Sequence, residues 1–200
     1  MAGRHQHWNH NIHYYPDVLR ALPEGVTRVL DVGCGDGTLA RQLSSKAAQV
    51  VALDRSGHIL QVAAAADDGA GVRYLQADFL AAPLRPESVD AVVSMAALHH
   101  MDPPAALGKM RDLLRPGGRL FVMDVAKSSS VADLPAEAAG FVVHRLHKWQ
   151  HGISKSDAPQ LPPQQTYAEI RRICRAVLPG SAFRRHALWR YSITWTKPAN

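Results

Sequence analysis

A chain of 200 residues, 46% hydrophobic and 20% charged, is long enough to bury a core, and two cysteines, Cys34 and Cys174, make no disulfide framework. Its apolar stretches are strand-sized and interrupted by Gly, Asp or Pro, which excludes a membrane-spanning segment. The polar, His-rich stretch Met1–His13 lacks the apolar core of a signal peptide, so a cytoplasmic location is expected. The net charge of +6 falls entirely after Gln165, where seven basic residues face one acid, Glu169. Such an excess serves either nucleic acid or anionic substrates, or is the solvated face of a helix and hairpin, the reading favoured here.

In chain order, short apolar runs alternate with helical patterns from residue 16 to 125, the signature of a parallel sheet with helices on both faces. Arg28–Asp31 and its lead-in predict a first strand, followed by a glycine-rich turn and a helix over Thr38–Ser45. Gln49–Asp54 is the second strand, and Ser56 caps a helix running through the alanines to Ala66. Val72–Gln76 and Val89–Ser94 are the third and fourth strands. Asp102-Pro103 opens a helix that Pro116-Gly117-Gly118 stops near Arg115, and Arg119–Asp124 is the fifth strand. Residues 126–165, rich in Ser and Pro around one apolar-periodic stretch (Pro135–Trp149), predict a small cap insertion too short for its own core. Thr166-Tyr167-Ala168-Glu169 is a capping box for a helix to about Leu178, and Ala182–Trp189 with Tyr191–Lys197 predict a closing antiparallel hairpin. The expected fold is one α/β domain over 1–200, with a Rossmann-like, seven-stranded, mostly parallel sheet.

The chemistry concentrates after the first strand, in Val29-Leu30-Asp31-Val32-Gly33-Cys34-Gly35-Asp36-Gly37. Glycines at 33, 35 and 37 let the backbone take positive φ and approach a ligand closely. The N-terminus of the following helix favours a carboxylate, and Asp31 at the strand mouth suits an ammonium. Thr38 stands where a dinucleotide fingerprint needs its third glycine, and no Gly-Lys-Ser/Thr is present for a nucleotide hydrolase. Both absences point away from a pyrophosphate ligand. Asp54 ends strand two, where a carboxylate accepts ribose hydroxyls. Asp78, in Ala77-Asp78-Phe79 after strand three, is placed to accept an adenine amine, with Phe79 or a neighbour packing on the ring.

Five motifs, VLDVGCGDG, VVALD, LQADF, VDAVVSMAALHHMDPP and LLRPGGRLFVMD, stand in this order and spacing. Together they resemble the class I S-adenosylmethionine-dependent methyltransferases, and most closely the ubiquinone and menaquinone biosynthesis branch. The resemblance covers about residues 25–125 and the last hairpin. It implies S-adenosyl-L-methionine as cofactor and S-adenosyl-L-homocysteine as product. It also implies that Asp31, Gly33, Gly35 and Gly37 hold the methionine part, Asp54 the ribose and Asp78 the adenine amine. Cys34, Arg55, Ala77, Phe79 and Ser94 complete the expected cofactor contacts, with Tyr14 and Tyr15 from an N-terminal lid or helix over residues 1–24.

Methyl transfer to a phenol or hydroxyl also gains from a general base, and His99 and His100, just past strand four, are the candidates; packing or a backbone hydrogen bond is the competing reading of either ring. The string His5-Gln6-His7-Trp8-Asn9-His10-Asn11-Ile12-His13 has no metal-site spacing and no acidic or thiolate partner nearby, so no metal is expected. It is a lid over the cofactor or a packed or disordered arm. In the cap, His144, Arg145, His147, Lys148, Trp149 and His151 cluster, with Phe141, Leu146 and Trp149 set either against substrate or against core. The leading expectation is methylation of a small metabolite at oxygen, nitrogen or carbon, without a nucleic-acid partner. The alternatives are an RNA or protein methyltransferase using the basic C-terminal segment, or a cofactor-binding scaffold without turnover.

Overall fold

A computed structural model describes residues 11–127, 162–186 and 189–199. Seven strands lie in one sheet in the order β3-β2-β1-β4-β5-β7-β6: β1 Arg28–Val32, β2 Gln49–Asp54, β3 Val72–Gln76, β4 Val89–Met95, β5 Leu114–Val125, β6 Ala182–Arg185 and β7 Arg190–Thr196. The first five pair in parallel, while β7 runs antiparallel between β5 and β6. The described helices are α1 Tyr15–Ala21, α2 Thr38–Leu43, α3 Gly57–Ala65, α4 Pro103–Leu113 and α5 Tyr167–Val177. None of them is long and apolar enough to cross a membrane.

The period-2 alternation of a strand splits the core into two layers. Leu30 and Val32 of β1, Val92 of β4, and Leu120 and Val122 of β5 face α4 and α5 through Leu107, Met110, Ile170 and Cys174. Val29, Val93, Phe121 and Met123 face the other way, onto Tyr15, Val18, Leu39, Leu43 and Leu60 of α1–α3. Being covered on both sides, these strands read as continuous apolar runs rather than alternating ones. After β3 the chain returns to pair β4 on the free side of β1, so β1 and β4 flank the point where the strand order reverses. Open α/β sheets bind their ligands at the carboxyl ends of the strands there.

The local signals act where expected. The Ser56 hydroxyl accepts from Ile59 N, Asp102 accepts from Ala105 N at 3.0 Å, and Thr166 and Glu169 make a reciprocal capping box. Several boundaries differ from the sequence reading, most of all at β5 and β6. β5 begins at Leu114, not Arg119, because Leu114 already pairs with Val89 before the register shifts at Ala91↔Arg119. Gly118 tolerates that irregularity: a Cβ there would lie 2.8 Å from the Arg115 carbonyl oxygen. β6 stops at Arg185 rather than Trp189, which sits in the turn with φ +58°. Arg190, not Tyr191, then opens β7. The predicted cap falls mostly outside the described residues, as does its His/Arg/Trp cluster. At its borders Lys127 bridges Thr166 in parallel.

Candidate active site

The turn from β1 to α2 is built by glycines that carry positive φ: Gly33 (+74°), Gly35 (+54°) and Gly37 (+72°). Their reasons differ. A Cβ on Gly33 would fall 2.3 Å from the Ala97 Cβ, and one on Gly37 would fall 2.7 Å from the Tyr74 hydroxyl, so both are crowded from behind. Nothing lies within 4 Å of a Cβ at Gly35, so its backbone stands open to a ligand. Hydrogen bonds from Gly33 N and Cys34 N to the Leu53 carbonyl lash the turn to β2, and Gly35 N donates to Asp54 Oδ2 at 3.0 Å.

Asp31, beneath this turn, is 1% exposed, and neither carboxylate oxygen has a hydrogen-bond partner among the described residues. Burial first, then the like charges of Asp54 and Asp36, push its pKa up to about 7. Asp54 is the opposite case. Its Oδ2 accepts from Gly35 N and its Oδ1 from Ser56 N, so the backbone orients both oxygens at the end of β2. Asp78 is exposed, and its Oδ1 accepts from Leu80 N and Ala81 N, shaping the turn after β3. Three carboxylates thus lie at three successive strand ends, along one rim.

Several flanking residues also have structural contacts of their own. Phe79 is 4% exposed, in the core under the Lys109 ammonium, so its ring does not face a ligand; the exposed side chain beside it is Leu80. Lys109 also donates to the carbonyls of Leu80 and Ala82, pinning this loop. Ala77 N donates to the Asp54 carbonyl, which ties the β3 turn to β2. Ser94 is fully buried with its hydroxyl on the Val32 carbonyl, a strand-to-strand brace. Arg55 is exposed beside Asp54. Cys34 is buried, and burial pushes its thiol well above the usual range, so it offers no thiolate.

Tyr14 and Tyr15 are 5% and 7% exposed and pack in the same core layer as Leu39 and Cys34. Burial, followed by the charges of Asp36 and Asp31, pushes the Tyr15 phenol up, and its ring shares a core layer with Cys34 of the glycine turn. α1 therefore lies over that turn; the histidines of residues 5–10 lie outside the described residues. No group of His, Cys, Asp and Glu that could hold a metal occurs among the described residues.

A second constellation forms across β4 and β5. His99 Nδ1 lies 2.5 Å from Asp124 Oδ1, and the His99 backbone N–H donates to Asp124 Oδ2 at 2.7 Å. Val125 N also donates to Asp124 Oδ1, so three donors surround a side chain with no exposed surface. With Nδ1–H directed at the carboxylate, Nε2 is left as the acceptor nitrogen. The His100 ring lies tilted against that of His99, with centroids 3.9 Å apart. Burial, then the neighbouring His99, holds His100 below the usual imidazole range, and its Nδ1 is buried without a partner among the described residues. Sequence reasoning named the histidines but missed Asp124 as their partner. The signal was present: Met123-Asp124 ends an apolar strand as Leu53-Asp54 does.

The basic C-terminal segment is partly spent on packing. The Arg185 guanidinium lies 4.1 Å from the Tyr167 ring centre and that of Arg171 lies 5.0 Å from Phe183, bridging α5 and the hairpin.

Comparison with known proteins agrees with this layout. Residues 30–122 match a family described as methyltransferase domain. An uncharacterised methyltransferase of Mycobacterium tuberculosis is 39% identical over 199 residues, covering 96% of this chain and 98% of that protein. A ubiquinone biosynthesis O-methyltransferase of Xylella fastidiosa is 36% identical over 140 residues, 67% of this chain but 56% of that protein, so the chain spans little more than half of that relative. Among solved structures, an S-adenosylmethionine-dependent methyltransferase of Mesorhizobium loti has the same fold, with a TM-score of 0.64 at 20% identity over 92% of this chain and 97% of that one.

Proposed function

This chain belongs to the S-adenosylmethionine-dependent methyltransferases, and from that premise we propose that it methylates a small metabolite at an atom that gives up a proton, foremost a hydroxyl oxygen. We assign the cofactor to the rim built by β1–β3. A buried carboxylate with neither donor nor cation is costly. The orphaned oxygens of Asp31 fit the methionine ammonium, which would return that carboxyl to its charged form. Gly35 offers open backbone, with Gly33 and Gly37 holding the bend. Asp54 is placed for the ribose hydroxyls and the free Oδ2 of Asp78 for the adenine amine. Tyr14 and Tyr15 close the side under α1.

When bound, the sulfonium supplies an electrophilic methyl carbon. The residues of this chain then have two tasks: to hold the acceptor in line and dry, and to take its proton. The observation that carries the reading is the His99–Asp124 pair at the ends of β4 and β5, beside the topological switch. Asp124 fixes the tautomer of His99, whose Nε2 accepts the acceptor's proton. The oxygen, keeping the electron pair of its broken O–H bond, would then be the nucleophile for the methyl group the cofactor would supply, with Asp31, Gly35 and Asp54 the residues that would hold that cofactor in line. Asp124 then stabilises the imidazolium. A nitrogen or activated carbon acceptor uses the same base. His100, held neutral by its surroundings, walls the pocket.

The burial of these groups favours a small acceptor that enters a cleft over a polymer lying on a surface. So does the commitment of Arg171 and Arg185 to aromatic rings. The test is a metabolite screen read by release of S-adenosylhomocysteine. On an accepted substrate, His99→Ala lowers kcat by about 10²–10⁴-fold while affinity for S-adenosylhomocysteine holds. An unchanged kcat removes His99 as the base. Failure of every small molecule, together with RNA binding that weakens steeply with salt, moves the acceptor to nucleic acid.

A further inference from the structure

Of the three rim carboxylates, two stand on the sheet and one does not. Asp31 lies within β1 and Asp54 ends β2, so strand pairing fixes the backbone of both. Asp78 belongs to residues 77–88, which form neither strand nor helix between β3 and β4. Such a segment keeps its shape only where its backbone groups find fixed partners. The partner here is a lysine of α4. Lys109 Nζ donates to the Leu80 carbonyl at 3.0 Å and to the Ala82 carbonyl at 2.6 Å, and it stands 5.3 Å from the centre of the buried Phe79 ring. It makes no ion pair among the described residues, so its charge is spent on this loop. The same peptides aim Asp78. Its Oδ1 accepts from Leu80 N and Ala81 N, and its carbonyl accepts from Ala82 N at 2.8 Å. The Leu80 carbonyl and the Ala81 N–H are opposite ends of one planar peptide. One end meets the ammonium and the other meets the Asp78 carboxylate.

We propose that Lys109 is a positioning residue for cofactor recognition: through the Leu80–Ala81 peptide it aims Asp78, and so sets the preference for adenine over its deaminated counterpart. This rests on the assignment of Asp78 to the adenine amine in the reading above. Adenine offers a carboxylate the N–H groups of its exocyclic amine. Hypoxanthine offers a carbonyl oxygen at that place, which a carboxylate repels, and its nearest N–H lies one ring position away. Discrimination therefore depends on how firmly the carboxylate is held. A fixed oxygen meets the amine and rejects the carbonyl, whereas a carboxylate free to swing reaches the neighbouring N–H and tolerates both bases. Asp54 needs no such brace, because its oxygens are oriented by Gly35 N and Ser56 N at a strand end. Asp78, exposed and on a loop, takes its brace from a helix 31 positions further along the chain.

The experiment is calorimetry on the full chain with S-adenosylhomocysteine and its deaminated analogue, S-inosylhomocysteine. Wild type is expected to bind the adenosyl compound about tenfold or more tightly, the scale of one charge-assisted hydrogen bond. Lys109→Met keeps the apolar stem and removes the donors. It is expected to cut that ratio at least about threefold by weakening S-adenosylhomocysteine, with the inosyl compound held within about twofold of wild type. An equal loss for both ligands, as a loosened fold would give, overturns the proposal, and so does an unchanged ratio. Asp78→Asn lowers the ratio too, and in that background Lys109→Met lowers it no further; a further drop there separates Lys109 from Asp78 and overturns the proposal. If Lys109→Met does not fold, Lys109→Gln, neutral but still a donor, is expected to lower the ratio severalfold; an undiminished ratio in that variant overturns the proposal. Equal affinity of wild type for the two compounds overturns it while the methyltransferase reading stands. Should wild type bind neither compound, the methyltransferase reading itself fails, a result distinct from all of these.

Discussion

Two aspartates, Asp31 and Asp124, lie near the ends of β1 and β5, the strands on either side of β4, with 1% and 0% of their surface exposed. Asp31 has no donor among the described residues, while Asp124 has three within 2.7 Å. Both are an acid at the end of an apolar strand, and the protein completes one and leaves the other incomplete. A satisfied buried carboxylate positions its partners and contributes to stability. An unsatisfied one is a liability to the fold and an asset to binding, because an arriving cation recovers what burial took away.

The sharpest way to break this comparison is to neutralise each acid in turn. Asp31→Asn is expected to weaken S-adenosylhomocysteine by about 2–5 kcal/mol, roughly thirtyfold to several thousandfold in Kd, the scale for removing one member of a buried charge pair. Above pH 7 the ligand-free variant is no less stable than wild type, since it lacks the ionised carboxylate. Calorimetry and thermal melts give both numbers; normal affinity would show that Asp31 does not meet the cofactor. Asp124→Asn is the mirror image. It loses about 1–3 kcal/mol of stability, read as a lower Tm, because an amide presents a donor where N–H groups already point. Its S-adenosylhomocysteine affinity holds.

A smaller effect is set by pH. The Asp31 pKa is raised to about 7 in the folded, ligand-free protein, above its unfolded value of 3.8, so the folded state binds more protons between those values. Stability of the ligand-free protein therefore declines as pH rises from about 4 to about 7, and is flat in this respect above. Cofactor affinity runs the other way. Binding needs the charged carboxylate, so S-adenosylhomocysteine binds up to about tenfold more weakly per pH unit below 7, with release of a proton. Calorimetry in buffers of different ionisation heat measures that proton, and Asp31→Asn abolishes the dependence. The smallest effect lies far from both acids. Thr166→Ala removes the capping box of α5 and costs about 1 kcal/mol in Tm-derived stability, with cofactor affinity unchanged.

Much of this was legible in the chain. The bounds of β2 and β3 and the caps of α3, α4 and α5 follow from local rules, since apolar periodicity and a hydroxyl or carboxylate before a helix act over a few residues. The glycine turn was legible for the same reason: Gly33, Gly35 and Gly37 sit on one strand–turn–helix unit. Whether Phe79 or a neighbour lies toward the ligand was left open, because an aromatic beside a candidate ligand looks the same in sequence whether its ring faces outward or, as here, inward. Trp189 was assigned to a strand because alternation in that stretch is weak, and a residue with positive φ leaves no mark of its own.

By itself, then, the order of residues determined the architecture, the family, and the carboxylates at the ends of β1, β2 and β3, all of which depend on near neighbours and on motif spacing. Only the tertiary structure decided the state of each group. It left Asp31 without a donor, spent Asp124 on His99 across 25 positions, and set Arg190 against Asn11 across 179. The reason is that solvation and pairing belong to a place in space, and a parallel sheet brings to one rim residues that the chain holds far apart.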